Sequence, residues 1–235
     1  MPELPTTSRG AATSRRILDA ACAEFAERGI AGARIDRIVA TARTNKAQLY
    51  GYFGSKEDLF DAVLADRVEA SAEAVPFDVD DLPGWAVRLY DRNLSRPELV
   101  RLIAWTRLER RPAGLWFDGT DHAPKLTAIT EAQAEGRLRA GDPFDLLTLV
   151  LAMASTWSPA GGVYAATADE PETDHDRRRA LLRDAVARVV APSRARSLNV
   201  AAGNVPRRTP EGARRGISAG QGLMGAAMAP DDHTS

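Results

Sequence analysis

The sequence has little of what marks several classes of protein. Its 235 residues include a single cysteine, Cys22, which excludes an intramolecular disulfide framework and a metal cluster held by cysteines. The longest apolar stretch, 146–157, is interrupted by Thr148 and Ser155 and is too short to cross a bilayer. The N-terminal residues lack the apolar core of a secretory signal. We therefore expect a cytoplasmic protein that does not bind a membrane.

Patterns typical of enzymes and metal sites are also missing. The histidines, His122, His175 and His233, lie far apart in the sequence. No metal-ligand spacing, glycine-rich phosphate loop or nucleophile motif occurs. We therefore expect no catalytic residue, no metal and no cofactor.

The net charge of −1 is low as well, with 31 basic and 32 acidic residues, and by itself argues against a nucleic-acid partner. The charge is unevenly distributed, however. Residues 1–56 have a net charge of +4, residues 57–191 of −8 and residues 192–235 of +3. Such asymmetry indicates a segment that binds a polyanion, joined to a part with a different role.

Apolar periodicity predicts an all-α chain, because no segment alternates with period 2 in the manner of a strand. We expect a flexible arm over residues 1–12, a three-helix helix-turn-helix domain over 13–75 (the head), a helical bundle over 76–191 (the body) and a disordered tail over 192–235. In the head, Gly29 should end the first helix and Ser55 should cap the fourth. The predicted helices after the first are 35–42, 45–52, 55–74, 82–94, 97–110, 122–135, 142–158 and 172–191.

Two short helices at 35–42 and 45–52, separated by a tight turn, fit a helix-turn-helix, in which the second helix enters the major groove of DNA. Asn45 can cap this second helix, Lys46 adds charge, and Gln48 can bond adenine through two hydrogen bonds. Short helices joined by tight turns also occur in bundles that bind no DNA. Phosphate contacts are expected near the ends of the motif, at Arg34, Arg37 and Lys56.

Three sequence blocks carry a family resemblance: RILDAACAEFAERG at 16–29, IDRIV at 35–39 and NKAQLYGYFGSKEDLF at 45–60. Over about residues 13–65 the chain resembles the N-terminal domain of tetracycline-repressor (TetR) family regulators. The resemblance implies a homodimeric repressor that binds a near-palindromic double-stranded DNA operator. It further implies a C-terminal bundle that dimerises and holds a small-molecule effector.

The resemblance widens the set of predicted DNA contacts and also shows where this chain departs from the family. Family members often have a capping Thr or Ser at Ala33, a glycine with positive φ at Arg43 and an aromatic or polar contact residue at Gly51. The predicted DNA-binding residues are Arg34, Arg37, Arg43, Thr44, Asn45, Lys46, Ala47, Gln48, Tyr50, Gly51, Tyr52 and Lys56.

The body contains all four tryptophans, which either fill a helical core or line a pocket for a small apolar or aromatic ligand. A body that responds to a protein partner, or to nothing, would fit the same residues, as would an all-α carrier or enzyme. The arginine run 177–179 is interpreted as a solvated face. The predicted pocket residues are Trp85, Trp105, Glu109, Trp116, Phe117, Leu126, Met153 and Trp157.

The last predicted helix has an apolar stripe at helical spacing. Such a stripe can pack inside one subunit, but the family resemblance favours a dimer interface formed by the helices at 142–158 and 172–191. The predicted interface residues are Leu181, Leu182, Ala185, Val186 and Val189.

Overall fold

A computed structural model describes residues 8–110 and 122–192 of the chain. Within these ranges all regular structure is helical, which confirms the all-α prediction. The helices are α1 (Ser8–Gly32), α2 (Ile35–Ala42), α3 (Lys46–Phe53), α4 (Lys56–Ala74), α5 (Leu82–Ser95), α6 (Glu98–Glu109), α7 (Ala123–Ala134), α8 (Pro143–Ala154) and α9 (Glu172–Val190). None of these helices is both long and apolar enough to span a membrane.

Two helix ends differ from the sequence prediction. Helix α1 begins at Ser8, so that residues 8–12 of the predicted arm are helical, whereas residues 1–7 lie outside the described part. Helix α8 ends at Ala154, four residues early, because the chain turns at Ser155. Of the predicted tail, residues 193–235 also lie outside the described ranges.

The helix caps follow from local sequence. The Asn45 side chain accepts a 2.8 Å hydrogen bond from the Gln48 N–H and caps α3. Ser55 Oγ accepts from the Asp58 N–H at 3.0 Å and caps α4, as predicted. A cap of this kind stabilises a helix by about 1 kcal/mol. The two caps fix where α3 starts and where the chain leaves it.

The head is formed by α1–α4 around a single apolar core. Phe25 of α1 packs edge-to-face on Phe60 of α4, with ring centroids 5.2 Å apart. Leu49 and Phe53 of α3 are buried in the same core. Leu102 of α6 belongs to this core as well, although α6 is a body helix. The head and the body therefore share part of their packing.

The body core lies between α5, α7, α8 and α9. Trp85 of α5 is buried and packs edge-to-face on Phe77, with ring centroids 5.0 Å apart. Leu147 of α8 and Val186 of α9 are buried in the same core. Helix α5 thus forms the centre of the body, with α8 and α9 packed against it.

Candidate nucleic-acid interface

Helix α3 has one buried and one exposed face. Leu49 and Phe53 hold the helix against the head core. Gln48 and Gly51 are exposed, and Tyr50 is 43% exposed. The predicted base-contacting residues therefore lie on a surface helix whose opposite face is fixed by packing.

The turn before α3 contains an unusual backbone conformation at Arg43, with φ 51° and ψ 53°. It is the only residue other than glycine with positive φ in the described ranges. Members of the family that the chain resembles often have glycine here, which adopts positive φ without a steric cost. The left-handed conformation costs a non-glycine residue about 1–2 kcal/mol, and the hydrogen bond from Thr44 N–H to Val39 O at 3.0 Å closes the turn around it.

Thr44 orients the side chain of Gln48. Thr44 Oγ1 donates a 2.5 Å hydrogen bond to Gln48 Oε1, which leaves Nε2 of Gln48 as a donor. The amide oxygen has a second lone pair. It can therefore still accept from adenine N6 while Nε2 donates to N7.

Glu24 caps the start of α2. Family members often have a capping Thr or Ser at position 33, and Ala33 cannot serve as one. The N-cap residue Arg34 makes no side-chain capping bond. Instead Glu24 Oε1 accepts from the Arg34 N–H at 2.9 Å and from Arg37 Nε at 2.7 Å. Glu24 is only 9% exposed. The sequence prediction missed it because Glu24 lies ten residues before the N-cap residue Arg34, on another helix.

Replacing Glu24 by glutamine is expected to destabilise the head at neutral pH by about 1.5–3 kcal/mol, because hydrogen bonds to a charged group are lost. Burial alone raises the pKa of Glu24, but the hydrogen bonds from Arg37 and from the Arg34 N–H outweigh it and lower that pKa. The stability that the carboxylate contributes is thus full above its unfolded pKa of about 4.3 and is lost as the pH falls towards the lower folded value.

Urea unfolding at neutral and acidic pH checks this prediction. The gap between the wild type and Glu24→Gln should be widest at pH 7 and should narrow as the pH falls below about 4. Glu27→Gln is the matched control, because Glu27 is exposed and its carboxylate pairs with Arg28 instead of capping α2. Equal losses in both variants would contradict the capping role.

The five basic residues among the predicted DNA contacts fall into two groups. Arg34 and Arg43 are exposed, and their side chains have no partner within 8–110 and 122–192. The other three are engaged within the head. Arg37 binds Glu24 and donates to Gly32 O at 3.1 Å, Lys46 Nζ lies 2.7 Å from Asp36 Oδ1, and Lys56 Nζ donates to Ala31 O at 3.3 Å. A phosphate would have to compete with these partners.

Asp36→Asn is expected to raise the affinity for any duplex several-fold and to steepen its salt dependence by about one unit, because Lys46 becomes free to neutralise a phosphate. Both side chains are exposed, so the pair contributes little to stability. Fluorescence anisotropy with a random-sequence duplex at several salt concentrations measures both quantities.

Asp80→Asn is the matched control for this change. The Asp80 side chain is 76% exposed against 75% for Asp36, and it pairs with Arg137 in the body at 2.5 Å. The control should leave duplex affinity unchanged. An unchanged affinity in Asp36→Asn as well would show that Asp36 lies off the DNA-binding face.

The structure brings together part of the predicted ligand pocket and separates the rest. Trp85, Leu126, Met153 and Trp157 belong to the body core or pack against it. Trp116 and Phe117 lie outside the described residues.

Trp105 and Glu109 do not join this group, which corrects their assignment to the pocket. Trp105 Nε1 donates to Ala26 O at 3.3 Å. Glu109 accepts from the N–H groups of Ile30 at 3.0 Å and Ala31 at 2.7 Å. Because α6 runs along α1, its last turn meets the end of α1 rather than the body core.

A cleft of about 300 Å³ lies beside Trp157. Its other lining residues, which the sequence prediction missed, are Tyr164, Arg177, Arg178 and Leu181. Arg178 is 8% exposed, pairs with Glu170 at 2.6 Å and lies 5.2 Å from the centre of the Tyr164 ring. The interpretation of 177–179 as a solvated face is therefore wrong for Arg178, because it packs under Tyr164 instead of facing solvent.

The predicted dimer interface also needs correction. Leu182 is 2% exposed and Val186 is 0% exposed, since both pack into the body core of their own subunit. Leu181 is 57% exposed, and Ala185 and Val189 are half-buried. The outward apolar surface of α9 is therefore Leu181 with its half-buried neighbours, rather than the whole predicted stripe.

Comparison with known proteins gives matches in both parts of the chain. Residues 17–63 match the family model "Bacterial regulatory proteins, tetR family", and residues 81–188 match "Tetracyclin repressor-like, C-terminal domain". The chain is 45% identical over 148 residues to the HTH-type transcriptional repressor SCO4008 of Streptomyces coelicolor, covering 61% of this chain and 77% of that protein. It is 37% identical over 142 residues to the HTH-type transcriptional repressor NicS of Pseudomonas putida, covering 54% of this chain and 66% of that protein.

A solved structure agrees with these matches. The crystal structure of SCO4942 from Streptomyces coelicolor superposes with a TM-score of 0.62 at 39% identity, covering 76% of this chain and 98% of that one. The relatives are named as transcriptional repressors, so the chain is a regulator and not an enzyme. The resemblance seen in residues 16–60 is confirmed. The chain belongs to the tetracycline-repressor (TetR) family of DNA-binding transcriptional regulators.

Proposed function

We propose that the protein is a homodimeric repressor that binds a near-palindromic operator through α3 and leaves it when a small apolar or aromatic effector binds the body. The observation that carries the first part is the exposed polar face of α3, with Gln48 oriented by Thr44. Two copies of α3 would enter successive major grooves about 34–36 Å apart. Arg34 and Arg43 would contact phosphates at the edges of each half-site.

The contacts of α6 connect a body helix to the head. Glu109 holds the end of α1 through two N–H groups. Arg110 pairs with Asp61 of α4 and lies 4.9 Å from the centre of the Phe60 ring. A shift of α6 would therefore move α1 and α4 together, and with them the orientation of α3. The effector must bind the two arrangements with different affinity, since equal binding would cause no release.

The effector class is proposed from the cleft beside Trp157. Its walls combine two aromatic rings, Trp157 and Tyr164, with the aliphatic side chain of Leu181. Trp157 itself packs edge-to-face on Tyr90 of α5, with ring centroids 5.8 Å apart. Ligand sites are mostly apolar with a few polar groups, and Arg178 would supply such a group here.

The dimer surface is proposed on the outward faces of α8 and α9. Leu149 of α8 is 47% exposed and Leu181 of α9 is 57% exposed. Exposed large apolar side chains on neighbouring helices favour association with another chain. A second copy packed on these helices would bury both leucines.

Selection from a random duplex pool with the purified protein tests the proposal. We expect an enriched inverted repeat, which would demonstrate sequence specificity and two-fold symmetry together. A gel-shift titration with small aromatic compounds then tests release. Absence of sequence-specific binding at any salt concentration would refute the repressor assignment, whereas an operator complex that no small molecule dissociates would favour a constitutive or partner-controlled regulator.

A further inference from the structure

A cavity of about 480 Å³ lies between the head and the body, away from the cleft beside Trp157. Its walls come from both parts: Asp19 of α1 and Arg67 and Ser71 of α4 on the head side, and Arg92, Arg96 and Glu98 on the body side. Its volume is within the usual range for a small-molecule site. The DNA contacts and the α6 contacts described above do not involve these six residues.

The charges around this cavity are not balanced pairwise. Asp19 is already occupied, because it accepts from Arg15 at 2.6 Å and from Arg67 at 2.5 Å. Within the described part of the chain, the Arg92 side chain makes a single, long hydrogen bond of 3.4 Å to Ala70 O. The exposed side chain of Arg96 has no partner among residues 8–110 and 122–192. Arg92 and Arg96, four positions apart in the sequence, thus remain available, and among the described residues that line the cavity Glu98 is the acid without an ion-pair partner.

We propose that this cavity binds a small organic oxyanion, a carboxylate or a phosphate ester, through Arg92 and Arg96. Guanidinium groups bind such oxyanions through paired, charge-assisted hydrogen bonds. Ser71 and Glu98 can bond hydroxyl groups on the rest of the ligand. The ligand is therefore a hydroxylated anion, which differs in class from the apolar effector proposed for the body.

Occupancy of the cavity affects operator binding, a step that rests on the proposed function. The ligand touches α4 of the head and α5 of the body at once, so its binding free energy depends on how these helices are arranged. A ligand that distinguishes two arrangements shifts the balance between them. By reciprocity, operator DNA must change the affinity for the anion by the same factor as the anion changes the affinity for DNA.

Thermal unfolding of the full chain with inorganic phosphate or with malate, at constant ionic strength in chloride, tests the site. We expect at least one of the two anions to raise Tm in a saturable manner, and the one that does identifies phosphate or carboxylate as the preferred group. Arg96→Ala should weaken the fitted affinity about tenfold, the usual loss for a hydrogen bond to a charged group.

Arg101→Ala is the matched control, because Arg101 is also exposed, lies on α6 and does not line the cavity. It should leave the anion affinity unchanged. Equal losses in both variants, or no saturable shift with either anion, would overturn the site. Repeating the titration with operator duplex present tests the coupling, and an unchanged anion affinity would refute that step.

The repressor proposal and the anion-site proposal can be refuted independently. Normal operator selection without anion binding would remove only this inference. Saturable anion binding by a protein that selects no operator would leave the site standing and refute the repressor assignment.

Discussion

Replacing Gly29 by alanine is expected to lower the free energy of unfolding by about 3–5 kcal/mol, from the sum of backbone strain and overpacking. Gly29 has φ 72° and ψ −176°, a region that is essentially restricted to glycine. An added Cβ would lie 2.1 Å from Glu109 Oε1 and 2.8 Å from the Trp105 ring. Thermal unfolding followed by circular dichroism should show Tm falling by roughly 10 °C.

Gly51→Ala makes the same chemical change where it should have the opposite effect. Gly51 lies inside α3, and a Cβ there would meet nothing within 4 Å. Alanine should stabilise such an exposed helix position by about 1 kcal/mol. A fall of Tm in both variants, or in neither, would contradict the claim that Gly29 is required by the close approach of α6.

At Gly29, the sequence predicts the local backbone conformation but not the distant residues that pack against it. The sequence predicted that this glycine ends the regular helix, because that signal is local. It did not predict that glycine is needed to admit Trp105 and Glu109, which follow nearly eighty residues later. Those two residues looked like pocket residues because they are aromatic and acidic and lie in the body. Only the packing of α6 along α1 reveals their contacts with the head.

Helix α3 and the turn before it could be predicted because the contacts that define them are local in sequence. The Asn45 cap, the Ser55 cap and the strained turn at Arg43 each depend on residues within a few positions of one another. The Glu24 cap depends on the packing of α1 against the start of α2, and no local sequence pattern predicts it.

The apolar stripe of α9 shows a further limit of prediction from the sequence. Periodicity identifies which face of a helix is apolar, but it does not identify what covers that face. Leu182 and Val186 are buried in the body core of the same subunit, whereas Leu181, next to Leu182 in sequence, is 57% exposed.

Gln48→Ala and Lys56→Ala are expected to weaken operator binding in different ways. Loss of the Gln48 amide should reduce discrimination between the selected operator and a scrambled duplex by about 1–3 kcal/mol, or roughly 5–150-fold, because a base contact is removed. Affinity for the scrambled duplex should hardly change. Lys56→Ala should instead weaken both duplexes equally and reduce the salt slope by about 1, as expected for one lost phosphate contact.

Thr44→Val tests the orientation of the Gln48 amide separately from the base contact that this amide makes. Valine removes the hydroxyl that holds Gln48 Oε1 at 2.5 Å and leaves the Gln48 amide in place. The expected discrimination lies between those of the wild type and Gln48→Ala, because the freed amide must be ordered when DNA binds. Anisotropy titrations of the selected and scrambled duplexes at several salt concentrations measure all three variants. If Gln48→Ala weakened binding to both duplexes equally, Gln48 would contact the DNA phosphate backbone. Base recognition would then have to come from other exposed residues of α3.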